Sequence, residues 1–172
     1  MGNKTIIQEK ELLSSPETVL NIIQTIEKEK ENHINILIEL FRTTPSGQNK
    51  NDVVLLLSEY EVEDFVSMVI DEIKKNINGR DIGTLIYSLN GKFLRESVYD
   101  LIVILCSLKT KYDNFEALEM IKLVLEENNE LFSKKVMSKA IKKVNQKIAI
   151  TNEKEDSYKY LKWCLIWLNS RA

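Results

Sequence analysis

Six carboxylates fall within fourteen residues of this chain: Glu59, Glu61, Glu63, Asp64, Asp71 and Glu72. Acids this dense could hold a metal ion, or share a proton as an acid–base pair, because like charges at close range drive their pKa values apart. No D-x-D-x-D-G loop and no H-E-x-x-H spacing accompanies them. Asp64, Asp71 and Glu72 instead alternate with apolar positions, as the solvated face of a helix does. The set reads as a surface for solvent or for a partner, and no metal is expected.

Lys134, Lys135, Lys139, Lys142, Lys143 and Lys147 form the second concentration of charge. They fall largely on one side of a helix whose other side carries Val136, Met137, Ala140, Ile141, Val144 and Ile148. Three roles compete: a plain outer face, a counterpart to the acidic part of the same molecule, or a contact for phosphates. A phosphate contact would give nucleic-acid affinity that falls steeply with salt. No aromatic side chain is interleaved to stack on bases, which weakens that role.

The remaining candidates are sparse. His33 is the single imidazole, sits in a charged run and has no G-x-S-x-G serine to serve, so it reads as a surface histidine. Cys106 and Cys164 each lie inside an apolar helical run, without a C-x-x-C pair, which suggests neither zinc nor a disulfide. Trp163 and Trp167 share a helix face with Tyr160; they either bury the last helix or offer an aromatic patch to a partner. No catalytic residue and no cofactor is expected.

The elements that must position these groups are helical. With 172 residues the chain fits a single domain, 1–172. Five Gly and two Pro leave little turn chemistry for a strand-rich fold. The formal net charge of −2 points to no particular partner, yet its distribution is uneven. Residues 1–133 hold 14 basic against 23 acidic side chains, and 134–172 hold 10 against 3. No apolar run approaches the roughly 20 residues that span a bilayer. The N-terminal residues lack the apolar stretch of a secretory signal, and Ile6 stands where a myristoylation motif requires Ser or Thr. A cytoplasmic protein without a membrane partner is the expectation.

Along the chain, Ser14-Ser15-Pro16-Glu17 marks a helix start near Pro16. The apolar register fails across 27–33 and resumes at Ile34, which predicts two helices meeting near Glu31 and Asn32. Residues 43–51 concentrate turn formers and predict a flexible loop. Val62 to Ile77 follow helical spacing, with Gly79 expected to close the helix in the left-handed conformation. Asp81 is the expected cap of a short helix through Leu85, Ile86 and Leu89, which should pair as a central hairpin with a more buried helix over 95–108. Asp113 or Asn114 caps a stripe from Phe115 to Leu125; Asn128-Asn129 interrupts before the lysine-rich helix; 153–170 closes the chain. About seven to nine helices joined by short links describe stacked antiparallel pairs, an all-α solenoid.

The order Gly83-Thr84-Leu85-Ile86-Tyr87-Ser88-Leu89, an apolar helix, and then Asp113-Asn114-Phe115-Glu116-Ala117 resembles small bacterial HEAT-like proteins over about residues 60–130. That group is similar to immunity proteins of polymorphic toxin systems. The resemblance implies a non-enzymatic protein that binds and neutralises a cognate toxin, with the acidic set as the partner surface. The alternative is a HEAT-like nucleic-acid-binding protein that uses the lysines of 134–147.

Overall fold

The structure, a computed structural model, describes residues 16–77, 79, 82–108, 114–128 and 130–171, with the backbone alone for 16–27. The expected caps Asp81 and Asp113 lie outside the described residues. Every regular element described is helical, and no strand occurs among the described residues. The chain divides into two compact units, 1–43 and 44–172.

In the first unit, α1 runs unbroken over Pro16–Thr43, 28 residues, and corrects the expectation of two helices. The run 27–31 loses apolar register but not helical propensity. Glu and Lys are both good helix formers, and their alternating signs place opposite charges within reach at i,i+3 spacing. The start at Pro16 agrees with the sequence. At the other end, Thr43 Oγ1 donates to the Glu39 carbonyl at 2.8 Å and ties down the last turn.

The second unit begins with a loop shorter than the expected 43–51, because α2 starts at Gln48 and runs to Ser58. Lys50 and Asn51 turn inward and are buried, so residues that look like loop chemistry form the first turn of a helix. Gly47, with φ of +142°, makes the sharp entry that a side chain would hinder. α3 (Phe65–Lys75) buries Phe65, Val69, Ile70 and Ile73. It stops at Asn76, whose side-chain amide donates to the Glu72 carbonyl at 3.1 Å. Gly79 is therefore not the closing residue, and it is not left-handed.

α4 (Ile82–Tyr87) is followed by a 3-10 turn (Arg95–Ser97) that leads directly into α5 (Val98–Ser107). α6 spans Phe115–Glu127, α7 Lys134–Ile148 and α8 Asp156–Ser170. Ser133 caps α7, its hydroxyl accepting from the Val136 amide at 3.3 Å. α5 is buried on more than one side through Leu101, Ile102, Ile104 and Leu105, as its nearly unbroken apolar run requires.

The expected central hairpin is not the main pairing. α4 packs chiefly on α6, with further contacts to α3 and α2, while α5 packs on α7. Gly83 lies where α4 meets α6: a Cβ there would stand 2.8 Å from the exposed Glu116 side chain, which would have to move aside. Elsewhere α8 lies on α7 and on α6, and α3 on α5. From α2 to α8 each helix thus meets the next but one, while among sequence neighbours the packed pairs are α3 with α4, α5 with α6 and α7 with α8.

Candidate functional site

The acidic stretch is positioned by the end of α2 and the start of α3. Glu59 closes α2, its amide bonding to Leu56 O at 3.2 Å, and the chain then crosses to α3 with Val62 half-buried between exposed Glu61 and Glu63. Asp64 takes the left-handed conformation at φ +61°, and its carbonyl accepts from the Met68 amide at 2.9 Å and the Ser67 hydroxyl at 2.8 Å. Glu59, Glu61, Glu63, Asp64 and Asp71 are all exposed, and none is ion-paired with a described residue.

Glu72 belongs elsewhere. Helical register places it on the inward stripe with Phe65 and Val69, where it is buried beside Lys50 of α2. Lys50 Nζ stands 2.6 Å from its Oε1, and Asn76 Nδ2 donates to the same oxygen at 2.8 Å. A carboxylate so engaged is not available to a partner, and the acidic surface loses this member.

Glu61, Glu63 and Asp64 come together on one rim of an open groove of about 550 Å³. Its other rim was not foreseen: Lys92, Phe93, Arg95 and Ser97, from the loop between α4 and α5. Phe93 is 77% exposed, a large aromatic ring held in water. Lys92 is turned across the groove, donating from Nζ to Ser58 O at 2.5 Å and lying 5.4 Å above the Phe65 ring. Much of its charge is thereby committed locally. The sequence signal for this rim was Gly91 before Lys92-Phe93; at φ +70° Gly91 turns the chain so that the ring projects outward.

The loop is rigid for a reason 35 residues away. The Glu130 carboxylate accepts from the Leu94 amide at 2.5 Å and the Arg95 amide at 2.9 Å. Asn128 orients Glu130, donating to its Oε1 at 2.8 Å and accepting from its amide at 2.9 Å, and also reaches the Lys92 carbonyl at 3.3 Å. Asn90 is held in turn by Glu127 at 2.7 Å. Arg95 stays at φ +50° within this clasp. Asp64 and Arg95 are the non-glycine residues with positive φ among those described, and each sits on one rim. Such conformations cost about 1–3 kcal/mol and persist where surrounding contacts impose them, often at functional sites.

The six lysines share α7. Lys134, Lys135, Lys139 and Lys142 are exposed, Lys143 and Lys147 half-buried, and none is ion-paired with a described residue. The pairing of this face with the acidic stretch of the same molecule is therefore not seen among the described residues. Lys143 and Lys147 lie toward Cys106, whose thiol is pushed up to about 11 by burial, an effect their charges partly offset. Cys164 is pushed up to about 12, again by burial. Both thiols are free and buried.

The two tryptophans part company. Trp167 is buried, while Trp163 stays half-exposed and donates to Glu126 at 2.9 Å. His33 is exposed on α1. Among the described residues, no three His, Cys, Asp or Glu side chains gather as a metal site would require. Compared with protein-family models, with curated proteins and with solved structures, the chain matches none.

Proposed function

We propose that this chain is a non-enzymatic protein-binding helical protein, which receives a basic partner at the groove between the 59–64 stretch and the 92–97 loop. One observation carries the reading. Glu61, Glu63 and Asp64, none of them ion-paired with a described residue, line the same open groove as Phe93, which is 77% exposed. Exposed carboxylates steer a basic surface into encounter, although Lys92 and Arg95 on the facing rim offset part of their charge, and a projecting aromatic ring supplies an anchor that slows its departure. A rim fixed by backbone clasps spends little ordering entropy on binding.

In its finer form the proposal is an immunity protein that occludes a cognate toxin by stoichiometric binding. The resemblance at 83–89 and 113–117 suggests this form. Packing of alternate neighbours, α3 on α4, α5 on α6 and α7 on α8, with each helix from α2 to α8 also on the next but one, is in keeping with HEAT-like stacking.

The test is co-expression with a candidate cognate toxin domain, followed by binding kinetics. Glu61→Lys/Glu63→Lys/Asp64→Lys should slow association at least about tenfold at low salt and flatten its salt dependence. Phe93→Ala should speed dissociation by about thirtyfold, the effect of removing a hot-spot ring. Unchanged kinetics in both variants would refute the groove as the binding surface.

A further inference from the structure

α7 carries six lysines and no carboxylate between Lys134 and Ile148. A second feature lies where this helix begins. Leu131, two residues before the Ser133 cap, is 100% exposed, and Ile166 on the adjoining α8 is 71% exposed. Aromatic rings link the two: Phe132 lies 6.2 Å from Trp167, and Trp167 lies 6.4 Å from Trp163, which neighbours Ile166 at i,i+3. Cations border this apolar end. Lys134 and Lys135 open α7, and the Arg171 guanidinium sits 4.8 Å over the Trp167 ring. The nearest acids are occupied, Glu126 by Trp163 and Lys122, Glu130 by the Leu94 and Arg95 amides.

We infer that this end of the molecule is a membrane-surface site, laying the exposed α7 lysines Lys134, Lys135, Lys139 and Lys142 on anionic lipid headgroups and seating Leu131 and Ile166 at the acyl boundary. Lysine clusters bind anionic leaflets, and Trp rings favour the headgroup level. A basic patch alone adsorbs weakly, so stable attachment takes a second, apolar signal, which the two exposed aliphatic side chains supply. A nucleic acid would use the same lysines but leave Leu131 and Ile166 idle. α7 also carries no arginine fork for guanine and no ring for a base. No helix among the described residues is long and apolar enough to cross a bilayer, so the mode is adsorption. The sequence argument against a membrane partner concerned spanning segments, an N-terminal lipid-anchor motif and the overall charge, and does not address a local basic and apolar patch. The site uses neither the groove nor the acidic rim.

The chain contains its own probe, since Trp163, half-exposed, lies at this end, while Trp167 is buried and adds a constant background. The full chain is mixed with phosphatidylcholine vesicles, neutral or doped with phosphatidylglycerol, and followed by co-sedimentation and tryptophan emission. Partition onto doped vesicles with a blue shift, weakened by salt and absent on neutral vesicles, is expected. Leu131→Ser/Ile166→Ser should lower the partition coefficient by more than about tenfold. Lys134→Gln/Lys135→Gln/Lys139→Gln should lower it roughly fivefold per lysine. All five side chains are exposed, so circular dichroism should show both variants folded. Three outcomes overturn the assignment: no partition onto doped vesicles, equal partition onto neutral ones, or partition insensitive to Leu131→Ser/Ile166→Ser. Duplex DNA binding without vesicle binding gives the lysines to nucleic acid, and a dimer abolished by Leu131→Ser gives the apolar end to a second copy; either also overturns it.

Discussion

Replacing Lys50 with Met removes an ammonium that is 4% exposed and leaves Glu72, 9% exposed, without its partner 2.6 Å away. The carboxylate keeps the Asn76 amide at 2.8 Å and a looser approach from Lys75 at 3.8 Å, whose own side chain is largely in water. Orphaning one member of a buried pair costs about 3–5 kcal/mol, and the surviving Asn76 bond argues for the lower end, about 3 kcal/mol. For a unit of this size that corresponds to a fall in Tm of roughly 10 °C. Glu72→Leu should cost a similar amount, by taking the carboxylate from its place 2.6 Å from the Lys50 ammonium. Lys50→Met/Glu72→Leu removes both charges and fills their space with apolar atoms, so it should lie within about 1 kcal/mol of the wild type. The cycle then closes with a coupling of about 3 kcal/mol or more. Urea unfolding of the full chain, followed by tryptophan emission, reports the unit that holds both residues. A double variant as unstable as the sum of the singles would refute the reasoning, because the pair would then contribute through two independent sites.

Three other outcomes are expected. Gly83→Ala should change stability by less than about 1 kcal/mol despite the 2.8 Å approach to Glu116, because that exposed side chain can swing away and Ala regains about 1 kcal/mol of helix propensity; thermal melts decide it. Burial holds the native Cys106 and Cys164 thiols at about 11 and about 12, above the unfolded value near 8.5, so the native state keeps protons that the unfolded chain gives up. Their contribution is complete below about pH 8.5 and is lost as pH rises toward the folded values, at up to about 1.4 kcal/mol per pH unit for each thiol. Urea midpoints between about pH 8 and 10 should therefore fall less steeply in Cys164→Val than in the wild type. Glu130→Ala should release the Leu94 and Arg95 amides, which hydrogen exchange would show as lost protection at both positions; unchanged protection would mean the loop is held by other contacts.

What could be read in the sequence followed the range of the interactions involved. The two sides of α7 were legible, since its apolar stripe and its lysines are written in adjacent residues, whereas its Ser133 cap went unnamed. α5 was legible for the same reason, as an apolar run with no polar face. The continuity of α1 was not, because apolar register tracks burial, while the Glu and Lys of 28–31, all exposed, sustain a helix without it. Glu72 was read as surface with Asp64 and Asp71 because the three alternate with apolar positions, whereas one helical step from Asp71 turns it by about 100° toward Lys50, 22 residues earlier in the chain. The second rim of the groove was hidden for a related reason. The loop at 92–97 owes its shape to Glu130 and Asn128, and no local pattern announces a carboxylate that will receive two distant amides.

The backbone conformations of Asp64 and Arg95 separate two jobs that most surfaces mix. Because each rim is bent by a left-handed residue, with the second rim also pinned by main-chain bonds to Glu130, the course of the chain there owes little to the side chains of Glu61, Glu63 or Phe93. Those three positions can change identity without asking the rest of the molecule to refold. A surface built in this way can follow a partner that drifts, altering charge or shape one residue at a time, while the frame that presents it stays put.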